Sequence, residues 1–276
     1  MLETPRQMLR RLGLFPKHSW GQNFLGDEVL LERIAEEALL RPGEACLELG
    51  AGLGHLTRFL LASGARVTAV EKDRDMVQAL SALALDGLTV LEVNAAELDF
   101  AAASQSDQVV VVGNLPYHLS SPILFEVLDQ AAHVSRAVFT LQKEVVERLA
   151  ASPGNRDYGV LTVLLGLHFE VEHCFDIPAG RFHPPPKVDS AVVKLTRRAA
   201  PRAPVGDPAR FRRLVKAGFA HRRKTLLNSL KADVGLTEAF DLSAALERSG
   251  LDGQRRAETL SVEEFAALER ALVPVG

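Results

Sequence analysis

Seven short apolar runs recur along the first two thirds of the chain: Ala45–Leu49, Val67–Glu71, Thr89–Val93, Val109–Gly113, Ala137–Leu141, Glu170–Phe175 and Ala191–Thr196. Each reads as a strand, and stretches with helical periodicity separate most of them. Strands this apolar bury both faces, which predicts a largely parallel, doubly wound sheet of α/β class. The last two runs are joined by an irregular Pro-rich connection and are expected as an antiparallel pair at the sheet edge. Beyond Arg197 the pattern changes. Pro201, Pro204 and Pro208 mark a linker over 197–208, and purely helical periodicity follows. Asp207 is placed to cap a helix that opens with Pro208 and carries Phe211, Leu214, Val215 and Phe219 on one face. Ser261 and Glu264 form a capping box ahead of Phe265, Leu268 and Leu272. The expected organisation is an α/β domain over 1–196, the linker, and a small all-helical domain over 209–276.

Charge sharpens the second part. Arg197 to Lys231 holds eleven Lys or Arg against one acid, Asp207, a local net of +10 in a chain whose total is −3. So one-sided a segment predicts a polyanionic partner rather than an ordinary solvated face. The rest of the composition mostly excludes. The N-terminus lacks the pattern of a secretion signal, and no apolar run reaches membrane-spanning length, so a cytoplasmic protein without membrane contact is expected. Cys46 and Cys174, the only cysteines, lie in apolar strand-like runs and are expected as buried thiols. The eight His show no metal-ligand spacing, so no metal is expected.

Two turns carry candidate chemistry. After the first strand, Gly50, Gly52 and Gly54 form G-x-G-x-G at a strand-to-helix turn, where glycine lets the backbone approach a ligand closely. A dinucleotide fingerprint needs G-x-G-x-x-G, and its third glycine position is His55 here, which disfavours a nicotinamide-dependent dehydrogenase. Glu71 ends the second strand about 20 residues on, where a carboxylate can accept both hydroxyls of a ribose. With Glu48 ahead of the glycines, this looks like the first motif of class I S-adenosylmethionine (SAM) methyltransferases, which implies a Rossmann-like, seven-stranded, mostly parallel sheet. After the fourth strand comes Asn114-Leu115-Pro116-Tyr117, followed by Ser120-Ser121-Pro122. It reads as a rigid turn into a helix with a Ser cap and Pro at the first position. Such a turn presents an amide, a backbone carbonyl and an aromatic ring at a strand end, the parts needed to grip a purine's exocyclic amine. The plainer alternative is a turn that ends a strand, with Tyr117 as packing.

In order along the chain, these pieces resemble the small-subunit rRNA adenine N6,N6-dimethyltransferases. Gly21-Gln22-Asn23-Phe24-Leu25 is similar to the family's N-terminal signature, and Asn114–Tyr117 to its catalytic turn. Leu141–Val145 and Tyr158–Leu161 resemble its central block, Phe182–Ser190 its target-binding loop, and Phe219–Leu226 the start of its C-terminal domain. The resemblance covers nearly the whole chain. It implies that Asn23, Leu25, Gly50, Gly52, Gly54, Glu71, Ala95 and Asn114 form the SAM site. Asn114 and the Leu115 carbonyl, set by Pro116, would hold the target amine, with Tyr117 and Phe182 stacked on the adenine. Arg222, Arg223 and Lys224 are the favoured RNA contacts. The implied partner is small-subunit rRNA, within the small ribosomal subunit or its precursor, modified at two adjacent adenosines of the 3′-terminal hairpin; a monomer is expected.

One departure stands out. The Asp that family members use on the SAM adenine is replaced by Ala95 or Ala96, depending on alignment. Losing that hydrogen bond would cost about 1 kcal/mol, with Asn94 or Glu97 placed to compensate in part. The departure keeps open an assembly factor with weak or no methylation; a large-subunit rRNA adenine methyltransferase is the other alternative.

Overall fold

The computed structural model describes residues 2–274. Its strands are β1 Phe24–Leu25, β2 Ala45–Leu49, β3 Arg66–Glu71, β4 Leu88–Glu92, β5 Val109–Asn114, β6 Val134–Gln142, β7 Phe169–Ile177, β8 Phe182–His183 and β9 Ser190–Arg197. Its helices are α1 Pro5–Leu12, α2 Glu28–Glu37, α3 His55–Ala62, α4 Arg74–Ser81, α5 Phe100–Ser104, α6 Ser120–Asp129, α7 Lys143–Leu149, α8 Val160–His168, α9 Pro208–Phe219, α10 Leu226–Leu230, α11 Val234–Ala239, α12 Leu242–Ser249 and α13 Val262–Arg270. All seven expected strands form, and they make one sheet in the order β4-β3-β2-β5-β6-β9-β7. β2 pairs in parallel with β3 and β5, as do β3 with β4 and β5 with β6, while β9 runs antiparallel to β6.

The apolar runs sit where their composition requires. Every residue of β2 is buried, and so is Val109–Gly113 of β5. Gly113 is needed for packing, because a Cβ there would lie 2.6 Å from the Leu49 carbonyl oxygen. Cys46 is buried on β2, whereas Cys174 is only half-buried. Its strand, β7, is the sheet edge, so the expectation of a buried thiol fails there. The chain order β2, β3, β4 runs outward to one side of the sheet, and β5, β6 to the other. The carboxyl ends of β2 and β5 therefore part at a topological switch point, where open α/β sheets bind ligands. A second, two-stranded sheet covers this point. Phe24 and Leu25 of β1 pair antiparallel with His183 and Phe182 of β8.

The chain divides into two compact units, residues 2–146 with Val171–Arg197, and Glu147–Glu170 with residues 198–274. The boundary expected near residue 196 needs correction. Glu147–Glu170 belongs with the C-terminal helices because α8 is buried at six of its nine positions and is covered by α9 and α13. The expected linker is a docked strap. Arg198 N–H donates to the His168 carbonyl at 2.9 Å and Arg202 N–H to that of Leu167 at 2.8 Å. Asp207 caps α9 through the N–H groups of Ala209 and Arg210, and the Ser261–Glu264 capping box opens α13. Among the described residues, no helix is long and apolar enough to cross a membrane.

Glu269 of α13 anchors this second unit. Its carboxylate is fully buried and accepts from Gly206 N–H at 2.8 Å, Asp207 N–H at 3.1 Å and Arg210 Nε at 2.7 Å. Removing it strands a guanidinium and two N–H donors. Glu269→Ala should therefore lower stability by about 3–5 kcal/mol, read by denaturant unfolding of the full chain.

Candidate active site

A cavity of about 380 Å³ opens at the switch point of the first unit. Its floor is the Gly-rich turn. Gly50 and Gly52 adopt positive φ of 72° and 54°, and a Cβ on Gly52 would approach the Phe24 ring to 3.0 Å. That leaves a slot only a bare backbone fits. Gly54 behaves differently. It caps α3 at φ 77°, and its Cβ would meet Leu80 and Leu83 at 2.6 and 2.8 Å. The absence of a Cβ there makes room for these two leucines.

Glu71 holds the other side of the turn. Its Oε2 accepts from Gly52 N–H at 2.9 Å, and its Oε1 from Lys72 and Asp73 N–H at 2.8 and 2.9 Å. Burial holds the carboxyl above its ordinary range against these donors. Oε2 keeps a lone pair beyond its bond to Gly52, so the group orients the turn and has an acceptor left over. Of the two alanines, Ala95 lies in the cavity wall. Asn94 also lines the cavity, but its Nδ2 donates to Glu97 at 2.6 Å and its Oδ1 accepts from Ala96 N–H at 3.3 Å. Glu97 is exposed, outside the lining.

Asn114 ends β5 at the cavity. Its Nδ2 donates to the Asn23 carbonyl at 3.0 Å. A carbonyl only accepts, so this bond fixes the amide with Oδ1 as the free acceptor. Asn23 in turn donates from its side chain to the Gly21 carbonyl at 3.0 Å. Leu115 is buried, with its N–H donating to the Thr140 carbonyl at 3.2 Å. Tyr117 is half-buried and its hydroxyl bonds Ser190 Oγ at 2.9 Å; burial pushes the phenol up. Phe182 is buried and, through β8, lies against Leu25. Asn23, Leu25, Leu115, Pro116, Tyr117 and Phe182 all line the one cavity. The turn departs from expectation in one respect. A 3-10 turn, Tyr117–Leu119, runs straight into α6, which starts at Ser120 without a side-chain cap. The Leu119 N–H bond to the Pro116 carbonyl continues the hydrogen-bonded path, so no Ser cap forms there and Pro122 lies inside the first turn.

Sequence reasoning left several lining residues unassigned. Trp20, Glu48, His55, Lys72 and His118 also face the cavity. His55 Nε2 lies 2.9 Å from the Glu3 carbonyl and therefore donates to it, tying the N-terminal segment to the Gly-rich turn. Glu48 is 2% exposed and its Oε2 has no hydrogen-bond partner. Its place two residues before Gly50 was the available signal, but sequence does not show that the side chain turns into the cavity.

In the second unit, Arg222, Arg223 and Lys224 lie exposed in the turn between α9 and α10. Arg222 donates to the Arg156 carbonyl and lies 3.8 Å from Glu258. The basic segment is less unbalanced than its count. Arg202 pairs with Glu263, Arg210 with Glu269 and Arg213 with Asp233, at 2.5–2.6 Å. These acids lie outside the counted stretch and return to it in space.

The buried acceptors, the bare backbone at Gly52 and the spare lone pair of Glu71 fit a cofactor that carries a ribose and a cationic amino-acid part. Together with the strand order, they define a class I SAM-dependent methyltransferase. Residues 15–272 match the family described as Ribosomal RNA adenine dimethylase, and the chain belongs to that family. It is 65% identical over 274 residues, 99% of this chain and 97% of the relative, to ribosomal RNA small subunit methyltransferase A of Myxococcus xanthus. The protein of that name from Geobacter metallireducens is 45% identical, over 97% of this chain and 99% of its own length. Among solved structures, a dimethyladenosine transferase from Plasmodium falciparum superposes with a TM-score of 0.77 at 25% identity, covering 89% of this chain and 95% of that one. The 23S rRNA methyltransferase ErmE gives 0.68 at 30% identity, covering 91% and 99%.

Glu71→Gln puts an amide NH2 where backbone N–H groups now point. SAM affinity should fall about ten- to hundredfold in a calorimetric titration, the loss of one or two hydrogen bonds to a charged group. An unchanged affinity would remove Glu71 from the cofactor site.

Proposed function

We propose that this protein transfers methyl groups from SAM to N6 of two adjacent adenosines in the 3′-terminal hairpin of small-subunit rRNA, dimethylating each. It acts in the cytoplasm, as a monomer, on the small ribosomal subunit or its precursor. The observation that supports the reading is the Asn114 amide, whose Nδ2 is tied to the Asn23 carbonyl so that Oδ1 is left as the acceptor, in a cavity wall shared with Leu115 and Tyr117. An adenine amine is a weak nucleophile because its lone pair is delocalised into the ring. Asn114 Oδ1 and the Leu115 carbonyl accept its N–H bonds, favouring a tetrahedral nitrogen whose lone pair is free. Tyr117 and Phe182 stack on the base, which must first leave its RNA context. The bond from Tyr117 to Ser190 keeps the phenol in place. Bound SAM supplies a methyl already activated on a sulfonium. Glu71 and the Gly50–Gly52 turn orient it, and positioning supplies most of the acceleration. The amine's surplus proton passes to solvent.

The small-subunit reading is preferred over the large-subunit one because the relatives named for the small subunit reach 65% identity over 99% of the chain, against 30% for ErmE. In the second unit, Arg222, Arg223 and Lys224 hold phosphates, which adds affinity without reading sequence.

Asn114→Ala should abolish methylation of undermodified small subunits, at least about a hundredfold in rate, while SAM affinity changes by only a few-fold. Retained turnover would sink the mechanism. Stacking is worth about 1–3 kcal/mol per base, so Tyr117→Ala should lose about ten- to hundredfold in kcat/KM and Tyr117→Phe little. Equal losses in both would assign the role to the hydroxyl. Neutralising Arg222, Arg223 and Lys224 together should flatten the salt dependence of RNA binding; an unchanged slope would place the phosphates elsewhere.

A further inference from the structure

Glu48 is a buried carboxylate in the cavity wall. It sits at the fourth residue of β2, 2% exposed, and lines the cavity. Its Oε2 has no hydrogen-bond partner, while Thr57 of α3, through its hydroxyl and backbone N–H, is placed to favour the charged form of the carboxyl. The charged neighbour that acts on it across the sheet is another acid, Glu71 of β3. Its register partners on the flanking strands are Ala69 of β3 and Val112 of β5, neither of which ionises. On its own strand stands Cys46, a buried thiol. His55 of α3, Lys72 after β3, and Tyr117 and His118 beyond β5 complete the titratable groups that line the cavity.

A carboxylate in such a place is held neutral by burial and by a like charge unless a cation enters. We propose that Glu48 is the cation sensor of this pocket: it carries a proton when the cavity is free of cofactor, gives it up when the cationic cofactor enters, and takes it back once the methyl has left. The inference rests on the reading of the cavity as the SAM site. The balance is simple. SAM and its demethylated product, S-adenosylhomocysteine, share an amino-acid end whose ammonium is balanced by its own carboxylate, and SAM alone adds a sulfonium charge. One positive charge enters, one proton leaves to solvent, and the cavity's charge is conserved. Once the methyl is transferred, the reason for ionisation is gone, so the carboxyl regains its proton and the product loses its counter-charge. Glu48 thereby makes the site prefer SAM over its product, which suits an enzyme that must exchange cofactor for each methyl it adds. Burial above all, helped by Glu71 and opposed by the Thr57 donors, pushes the empty-site carboxyl up to about 8, so it is mostly protonated at neutral pH.

The test is calorimetric titration of the full chain with SAM and, separately, with S-adenosylhomocysteine at pH 7, in buffers of different ionisation enthalpy. The proton count for each ligand follows from the slope. SAM should release close to one proton more than S-adenosylhomocysteine. Its affinity should rise about tenfold per pH unit from pH 6 towards 8 relative to that of the product. Glu48→Gln should abolish the extra proton and reduce the preference for SAM about tenfold or more; subtracting its counts removes protons that come from the ligands' own amino groups. Equal proton counts for the two ligands on the unaltered protein would overturn the proposal, whatever the variant's folding. Binding of neither ligand would overturn the cofactor reading itself, which distinguishes the two failures.

Discussion

The amide of Asn114 can face the cavity in two ways, and one hydrogen bond decides between them. Nδ2 donates to the Asn23 carbonyl at 3.0 Å, which leaves Oδ1 as the acceptor at the end of β5. Two segments 91 residues apart in sequence thus meet at one bond. The N-terminal segment reaches that point because β1 pairs with β8, and β8 carries Phe182. The Gly-rich turn, the Asn114–Tyr117 turn and the Phe182 ring are in this way fixed relative to one another within the first unit.

The sheet explains why the cavity lies where it does. β2 and β5 are adjacent, buried at nearly every position, and diverge at their carboxyl ends. Their turns carry the Gly-rich segment and Asn114–Tyr117. Both turns therefore start from the most rigid part of the fold. Glu71, at the end of the neighbouring strand, ties the Gly-rich turn down through Gly52 and still has an acceptor to offer.

Most of this was legible in the sequence because it is written locally. The apolar runs gave all seven sheet strands, and glycine spacing with Glu71 gave the cofactor class. The misses are non-local. The sequence placed a domain boundary near residue 196 from proline content, but α8 is too apolar to stand outside a helical core, and that core is supplied from residues beyond 198. The charge count of the basic segment pointed to a polyanionic partner but did not show that Glu263, Glu269 and Asp233 pair with three of its bases. The packing of Leu80 and Leu83 against Gly54 is likewise invisible in the motif. Glu48 was visible as part of a motif, but its burial without a partner is a property of three dimensions only.

The most direct test of the account is the identity of the product. Small ribosomal subunits from cells lacking the dimethyladenosines would be incubated with this protein and methyl-labelled SAM, and the RNA digested for mass spectrometry. The account predicts label in N6,N6-dimethyladenosine, from two adjacent positions in the 3′-terminal hairpin, despite alanine at position 95. Protein bound to the particle with no label transferred, or label in a nucleoside other than an N6-methylated adenosine, would contradict it.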